Sequence, residues 1–147
     1  MIDHSEAAAL ALQYLAQLDA RDQHLSLSAE ATDTSLESAY LVQDEFHALL
    51  RQRGDKIVGY KVALTSKAMQ EFCGVDQPLA GAVFGRAVHD SPAAVQLAQH
   101  RHLGVEFEVA VRLAADLAPG APHTRESVEA AVGSCHPAFE LVEDRNA

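Results

Sequence analysis

The sequence contains little cysteine: Cys73 and Cys135 are its two cysteines, and they stand far apart with no Cys-x-x-C spacing. A small extracellular domain held together by disulfides would carry more cysteines at closer spacings. We therefore expect both residues to be reduced thiols, as is usual in a cytoplasmic protein.

Basic residues are also scarce, because 11 Lys and Arg residues stand against 21 Asp and Glu residues and give a formal charge of −10. Nucleic-acid and anionic-membrane surfaces need a basic patch that contacts phosphate groups. The composition therefore predicts no nucleic-acid partner and no membrane surface, and it is compatible with a protein that holds a cation.

Long apolar runs are missing as well, since none approaches the ~20 residues that a membrane-spanning helix needs. The first residues, from Met1 to Glu6, lack the basic region of a signal peptide. A chain of 147 residues that is 48% hydrophobic can bury one adequate core. We expect a soluble cytoplasmic protein.

The hydrophobic pattern divides the chain into a helical part and a strand-forming part. Ser5 is a candidate cap for a helix through Ala20, and Thr34 and Glu37 match a capping box that opens a helix ending at Gly54. From Lys56 onward, short alternating patterns are typical of strands. We predict a mixed α/β (α+β) fold, with a helical region over residues 1–55 and a β region over residues 56–147. The expected core contains Leu15, Leu41, Phe46, Val62, Phe107, Val109 and Leu141.

The stretch from Gly104 to Val111 alternates between apolar and polar residues, as a half-buried strand does. The period of two places Glu106 and Glu108 on one face, roughly 7 Å apart along the strand. A solvated acidic face is the simpler interpretation, because charged strand faces usually contact water. A pair of hard oxygen ligands for a divalent cation is the alternative.

Three further residues could bind a cation. Glu140 lies inside an apolar segment, where an unpaired buried carboxylate would be costly, so it needs either a cation or a partner such as Arg145. His100 and His102 precede the strand at a spacing that could bind metal. Surface positions are the simpler interpretation for these two histidines.

One basic candidate, Lys61, lies in the strand predicted from Ile57 to Leu64. Its neighbours Gly59 and Ala63 are small and leave space over the lysine that a ligand could fill. A lysine that protects an edge strand from aggregation is the simpler interpretation. Thr65 or Ser66 then caps a short helix over residues 67–73, which Gly74 ends.

Four segments together resemble the 2-keto-4-pentenoate hydratase and 4-oxalocrotonate decarboxylase family, within the fumarylacetoacetase-like superfamily. They are residues 59–70, 74–78, 105–108 and 137–142, in the family's order and spacing. Ala63 departs from the family pattern by replacing a common glycine. The resemblance implies the first portion of a fumarylacetoacetase-like, mainly antiparallel β-roll. Because family members continue beyond the last matching segment, we expect this fold to be truncated.

The resemblance also implies roles for five residues. Glu106, Glu108 and Glu140 correspond to the ligands of one divalent cation, and three carboxylates suit Mg²⁺ or Mn²⁺. Lys61 would be a charge partner of the substrate or a proton shuttle. Asp76 would lie near the substrate or orient a water molecule.

The implied function is that of a hydratase, a lyase that adds water to a short 2-hydroxydienoate or 2-oxo-enoate from the breakdown of aromatic compounds. Relatives form homo-oligomers, which we expect here as well. A decarboxylase of the same family would use the same residues. A C–C hydrolase usually needs a His–Glu base pair, and no histidine stands in a clearly matching place. A different alternative is an inactive fragment or a non-catalytic subunit.

Overall fold

The computed structural model describes residues 1–20, 26–120 and 122–143. Its helices and strands are α1 (His4–Ala20), α2 (Leu36–Gln52), β1 (Ile57–Ala63), α3 (Lys67–Cys73), β2 (Leu79–Phe84), β3 (Leu103–Leu113), α4 (Arg125–Ala131) and β4 (Val132–Glu143). The predicted mixed α/β class is confirmed, and both sheets are antiparallel. The chain forms two compact units, the first comprising Met1–Val95 and the second beginning at Gln96. The division of the chain at residue 55 stays a prediction.

The first unit is built around the two amphipathic helices α1 and α2, which pack against each other. Leu15 of α1 and Leu50 of α2 are buried together with Phe84 of β2. A second buried cluster contains Ile2, Ala7 and Leu10. Burial of Leu15, Leu50 and Phe84 is the main force that holds the helices to the β1–β2 hairpin.

The capping residue of α1 lies two positions before the predicted one, and that of α2 lies one position after it. The carboxylate of Asp3, rather than the side chain of Ser5, accepts a hydrogen bond from the N–H of Glu6 at 2.8 Å. Ser35, rather than Thr34, caps α2 by accepting from the N–H of Ser38. Each candidate is a good capping residue, so the path of the preceding chain decides which one is used.

The signals around α3 are confirmed in full. This helix spans Lys67–Cys73, the Ser66 side chain accepts from the N–H of Met69, and Gly74 adopts the left-handed conformation with φ of 70°. Ser66 marks the start of the helix and Gly74 marks its end, so the two boundaries of α3 are fixed by local signals.

The second unit contains the antiparallel hairpin of β3 and β4, with α4 in the connection between them. Glu106 lies opposite Glu140, and Phe107 lies opposite Phe139. The register shifts after Arg112, where Gly133 takes no partner and the ladder is irregular. Among the helices of the described residues, none is long and apolar enough to cross a membrane.

The predicted core is right for the helices and wrong for the strands. Leu15 is buried, and Leu41 and Phe46 pack partly buried against the two clusters. The four strand residues are instead exposed: Val62 60%, Phe107 85%, Val109 68% and Leu141 40%. Alternation predicts which side chains share a face but does not say what covers that face. Here each sheet has two strands, and these side chains point outward.

Candidate functional site

Three carboxylates converge on one face of the β3–β4 hairpin. Glu106 and Glu140 are directly opposite each other across the two strands, and Glu108 lies one strand repeat further along β3. One carboxylate oxygen from each of these residues lies within 4.8 Å of the other two. The hairpin register therefore adds Glu140 to the pair that the period of β3 had already brought together.

Such a cluster is electrostatically unfavourable by itself. Like charges directly opposite each other destabilise an antiparallel pair. Glu106 and Glu108 are exposed to solvent and Glu140 is half-buried, so water weakens the repulsion without removing it. A solvated acidic face would require only Glu106 and Glu108, and it does not explain why a third carboxylate from the partner strand lies beside them.

The cluster fits a divalent cation by geometry and by ligand chemistry. Two oxygens bound to one ion can be separated by at most twice the metal–oxygen distance, which is about 4.2 Å for Mg²⁺ and about 5 Å for Ca²⁺. The spacing of the three carboxylates, within 4.8 Å, requires at most small side-chain rotations. A set of carboxylate oxygens suits Mg²⁺, Mn²⁺ or Ca²⁺ better than zinc.

The alternative partner proposed for Glu140 was Arg145, which lies outside the described residues. Glu140 itself is half-buried rather than fully buried, so its desolvation is smaller than the apolar sequence around it predicted.

The same face of the hairpin continues beyond Glu108 with residues that the sequence analysis did not single out. His136 lies opposite Ala110, and Ser134 lies opposite Arg112. The hydroxyl of Ser134 and Nε2 of His136 are hydrogen-bonded at 2.8 Å. Ser134 and His136 are separated from Glu140 by even numbers of residues, which predicts that they share its face. That they also lie beside Ala110 and Arg112 follows only from the register with β3.

Lys61 and Asp76 both lie in the first unit. Lys61 is in β1 opposite Gly81 of β2, and its Cγ lies 3.7 Å from the point that a Cβ on Gly81 would occupy. Asp76 follows α3, and its backbone carbonyl accepts a hydrogen bond from Nζ of Lys67 at 3.4 Å. The space expected beside Lys61 is present at Gly59, where no atom lies within 4 Å of a Cβ position. The roles of both residues stay predictions.

The turn that follows Lys61 has an unusual backbone. Leu64 has a φ of 55°, which a leucine rarely adopts. Its carbonyl accepts a hydrogen bond from Nε2 of Gln70 at 2.7 Å, and Gln70 is buried to 3% exposure. The buried amide of α3 thus holds the strained turn between β1 and α3 in place.

The two histidines before β3 have different surroundings. His102 is exposed, as predicted. His100 is half-buried, and its Nδ1 lies 3.5 Å from Oε2 of Glu143. The N–H of Arg101 donates to Oε1 of the same glutamate at 2.7 Å. Glu143 therefore ties the start of β3 to the end of β4, which gives His100 a structural contact.

No family model matches the chain, but curated proteins do. It is 35% identical over 107 residues to a 2-keto-4-pentenoate hydratase of Burkholderia vietnamiensis, an alignment that covers 73% of this chain and 40% of the relative. It is 34% identical over 124 residues to a 2-hydroxypent-2,4-dienoate hydratase of Pseudomonas putida, covering 81% and 54%. A 4-oxalocrotonate decarboxylase of Pseudomonas putida is 30% identical over 130 residues, covering 88% and 48%.

A solved structure also resembles the whole chain. It is a 4-oxalocrotonate decarboxylase from Pseudomonas putida G7 in complex with magnesium and adipate, with a TM-score of 0.89 and 26% identity. The match covers 99% of this chain and 55% of that one. The chain spans about half the length of the curated relatives it matches. The resemblance inferred from the four segments is confirmed by these proteins.

Proposed function

We propose, from the similarity of the chain to part of the 2-keto-4-pentenoate hydratase and 4-oxalocrotonate decarboxylase family, that it functions as a divalent-metal-dependent hydratase. Its substrate would be a short 2-hydroxydienoate or 2-oxo-enoate formed in the breakdown of aromatic compounds. The observation that carries the proposal is the convergence of Glu106, Glu108 and Glu140 from two strands. Hydratases among the relatives favour water addition as the reaction.

In this proposal Glu106, Glu108 and Glu140 hold one Mg²⁺ or Mn²⁺ ion. A bound ion would supply Lewis-acid stabilisation of the negative charge that develops on a substrate oxygen. A 2-oxo acid could chelate such an ion through its keto oxygen and one carboxylate oxygen, which would fix the orientation of the substrate's acid end.

Lys61 and Asp76 are the proposed catalytic residues. An ammonium group close to the substrate would neutralise its carboxylate or move a proton. The exposed position of Lys61 on β1 and the open space at Gly59 support such contact with a ligand. Asp76 would lie near the substrate and orient a water molecule.

Decarboxylation is the second candidate reaction. It would use the same residues, and a 4-oxalocrotonate decarboxylase is found both among the curated relatives and among the solved structures. A C–C hydrolase has less support, because the relatives described above are hydratases and a decarboxylase.

We also propose a cytoplasmic homo-oligomer. The exposed apolar side chains of β1, β3 and β4 support association between copies, because large outward-facing apolar patches are uncommon on monomers.

The test is calorimetric titration of the purified chain with Mg²⁺ and with Mn²⁺, followed by a hydration assay that measures loss of the substrate's conjugated absorbance. We expect one ion per chain and an affinity that falls at least about tenfold in Glu108→Gln, because the site loses one of three charged ligands. Glu129→Gln is the matched control, since Glu129 is an exposed glutamate of α4 in the same unit. Equal affinity of Glu108→Gln and the unaltered chain would overturn the proposed metal site.

A further inference from the structure

The β3–β4 hairpin is a two-stranded sheet, so among the described residues each of its strands has one edge that pairs with no other strand. Such an edge presents unpaired N–H and C=O groups that a further strand can bind. β3 is 11 residues long and is exposed from Gly104 to Leu113. It therefore offers a long, accessible edge for strand pairing.

The two outer edges of the hairpin differ in what they can bind. Pro137 lies inside β4, opposite Val109 of β3. Proline has no N–H, and within a sheet it is found mainly at edges, where it discourages further pairing. β3 contains no proline from Leu103 to Leu113, so its edge is the one suited to receive another strand.

The charges along β3 are complementary to those of a second β3 strand that runs in the opposite direction. When two such strands pair about a twofold axis at Val109, Glu106 of each copy lies opposite Arg112 of the other. Opposite charges at directly facing positions stabilise an antiparallel pair. Arg112 is exposed, and within the described part of its own chain it has no ion-pair partner. Both copies therefore have a charge to supply and a charge to receive.

Neighbouring registers of the same two strands are less favourable. An axis at Phe107 places Glu106 opposite Glu108, and an axis at Glu108 places that residue opposite itself. Like charges at facing positions destabilise a strand pair. An axis at Ala110 pairs Glu108 with Arg112 but shortens the overlap of the two strands. Charge and length together therefore favour the register described above.

The same register also aligns the apolar face of β3. Phe107 lies opposite Val111 of the second copy, and Val105 lies opposite its Leu113. All four side chains are exposed in the single chain, Phe107 most of all at 85%. Aromatic and aliphatic side chains that face each other across strands stabilise the pairing. Side-chain contacts on both faces therefore add to the backbone hydrogen bonds.

We propose that two copies of the chain pair edge to edge through β3, about a twofold axis at Val109, and form one four-stranded antiparallel sheet. Neighbouring strands are about 4.8 Å apart, so Arg112 of the second copy lies beside Glu106 on the side away from Glu140. Each copy thus contributes a guanidinium group to the carboxylate cluster of the other and offsets the repulsion within it. This inference rests on the proposed homo-oligomer and specifies its interface.

The experiment reverses the charge at one end of each ion pair. Glu106→Arg and Arg112→Glu are prepared as separate chains, and sedimentation equilibrium in EDTA gives the dissociation constant of each dimer without bound divalent cations. We expect each constant to exceed that of the unaltered chain at least about tenfold, because both ion pairs become pairs of like charges. An equal mixture of the two variants should recover the unaltered constant within about threefold, since opposite charges then face each other at both pairs. Native mass spectrometry identifies the mixed dimer by its mass.

Matched controls are Glu129→Arg and Arg125→Glu, which make the same charge changes at exposed positions of α4. They should leave the dissociation constant within about twofold of the unaltered one. Circular dichroism checks that every variant is folded. Arg112→Glu leaves the three glutamates unchanged, so its effect tests the interface even where Glu106→Arg fails to fold.

Two results would count against the interface. Dimers as tight as the unaltered one in both variants, or a mixture that forms no mixed dimer, would overturn the inference and leave the proposed homo-oligomer and metal site intact. An unaltered chain that stays monomeric up to millimolar concentration would overturn the inference together with the proposed homo-oligomer. The proposed hydratase keeps its own test by metal titration and hydration assay.

Discussion

Glu106 and Glu140 carry the same charge at directly opposite positions of two strands. The sequence predicts that Glu106 and Glu108 share a face, because both lie in one strand and the period of two is local. The third carboxylate is different: its place depends on the pairing register between segments more than thirty residues apart. A shift of one residue would move Glu140 to the other face.

Asp33 shows how a carboxylate with good partners behaves at the residue scale. It accepts from the ammonium group of Met1 at 2.8 Å and from the hydroxyls of Ser35 at 2.6 Å and Ser38 at 2.5 Å. These donors, the ammonium group first, hold the pKa of Asp33 well below its usual range.

Stability should therefore depend on pH through Asp33. A carboxyl group whose pKa is lower in the folded state stabilises that state above its unfolded-state pKa of about 4, and the contribution disappears as the pH falls further. We expect Asp33→Asn to unfold at a lower urea concentration than the unaltered chain near neutral pH, with a difference that shrinks below about pH 4. Urea unfolding followed by circular dichroism measures this. Asp90→Asn, an exposed change in the same unit, is the control, and a pH-independent difference for Asp33→Asn would contradict the expectation.

At the scale of elements, helix boundaries are predicted best from the sequence where a capping residue is present at each end of the helix. α3 begins after Ser66 and ends at Gly74, as its sequence indicates. The register of the β3–β4 hairpin involves a close approach of two backbone segments at Gly133, which no local signal in the sequence predicts. A Cβ on Gly133 would lie 3.0 Å from Cβ of Ala114 and 3.2 Å from its backbone nitrogen.

We expect Gly133→Ala to destabilise the chain by about 1–3 kcal/mol, because the added methyl group meets backbone atoms that cannot rotate away. Equilibrium unfolding in urea gives the free-energy difference. Gly104→Ala is the matched control in the same hairpin, since its Cβ would make an ordinary contact of 3.7 Å with the carbonyl oxygen of Val142. Equal stability of the two variants would show that the register shift tolerates a side chain.

At the scale of the whole molecule, burial is distributed unevenly. The helices, β2 and Ile2 before α1 supply the buried clusters, with Leu50 at 3% exposure. Both hairpins turn apolar side chains outward, and Phe107 remains 85% exposed although its ring contacts that of Phe139 with centroids 5.3 Å apart. Large apolar side chains therefore contribute very differently to the stability of this chain.

This contrast gives a direct test. Leu50→Ala should destabilise the chain by about 2–5 kcal/mol, since it leaves a cavity among Leu15 and Phe84. In the monomeric chain, at a dilution where the copies have dissociated, Phe107→Ala should cost less than about 1 kcal/mol, because it removes one cross-strand aromatic contact and little buried area. Thermal and urea unfolding of both variants would measure the two effects. A cost for Phe107→Ala as large as that for Leu50→Ala would mean that the β3–β4 face is covered in solution.

The sequence by itself determined the class of the fold, the limits of α3, the acidic pair on β3 and the family resemblance. Each of these features follows from segments whose own residues are close together in the chain, where periodicity, caps and glycine act locally. Only the tertiary structure decided that Glu140 faces Glu106, that His136 and Arg112 lie on the same face, and that Val62 and Phe107 are exposed. Those outcomes depend on strand register and on what covers each face, and both arise from contacts between distant segments.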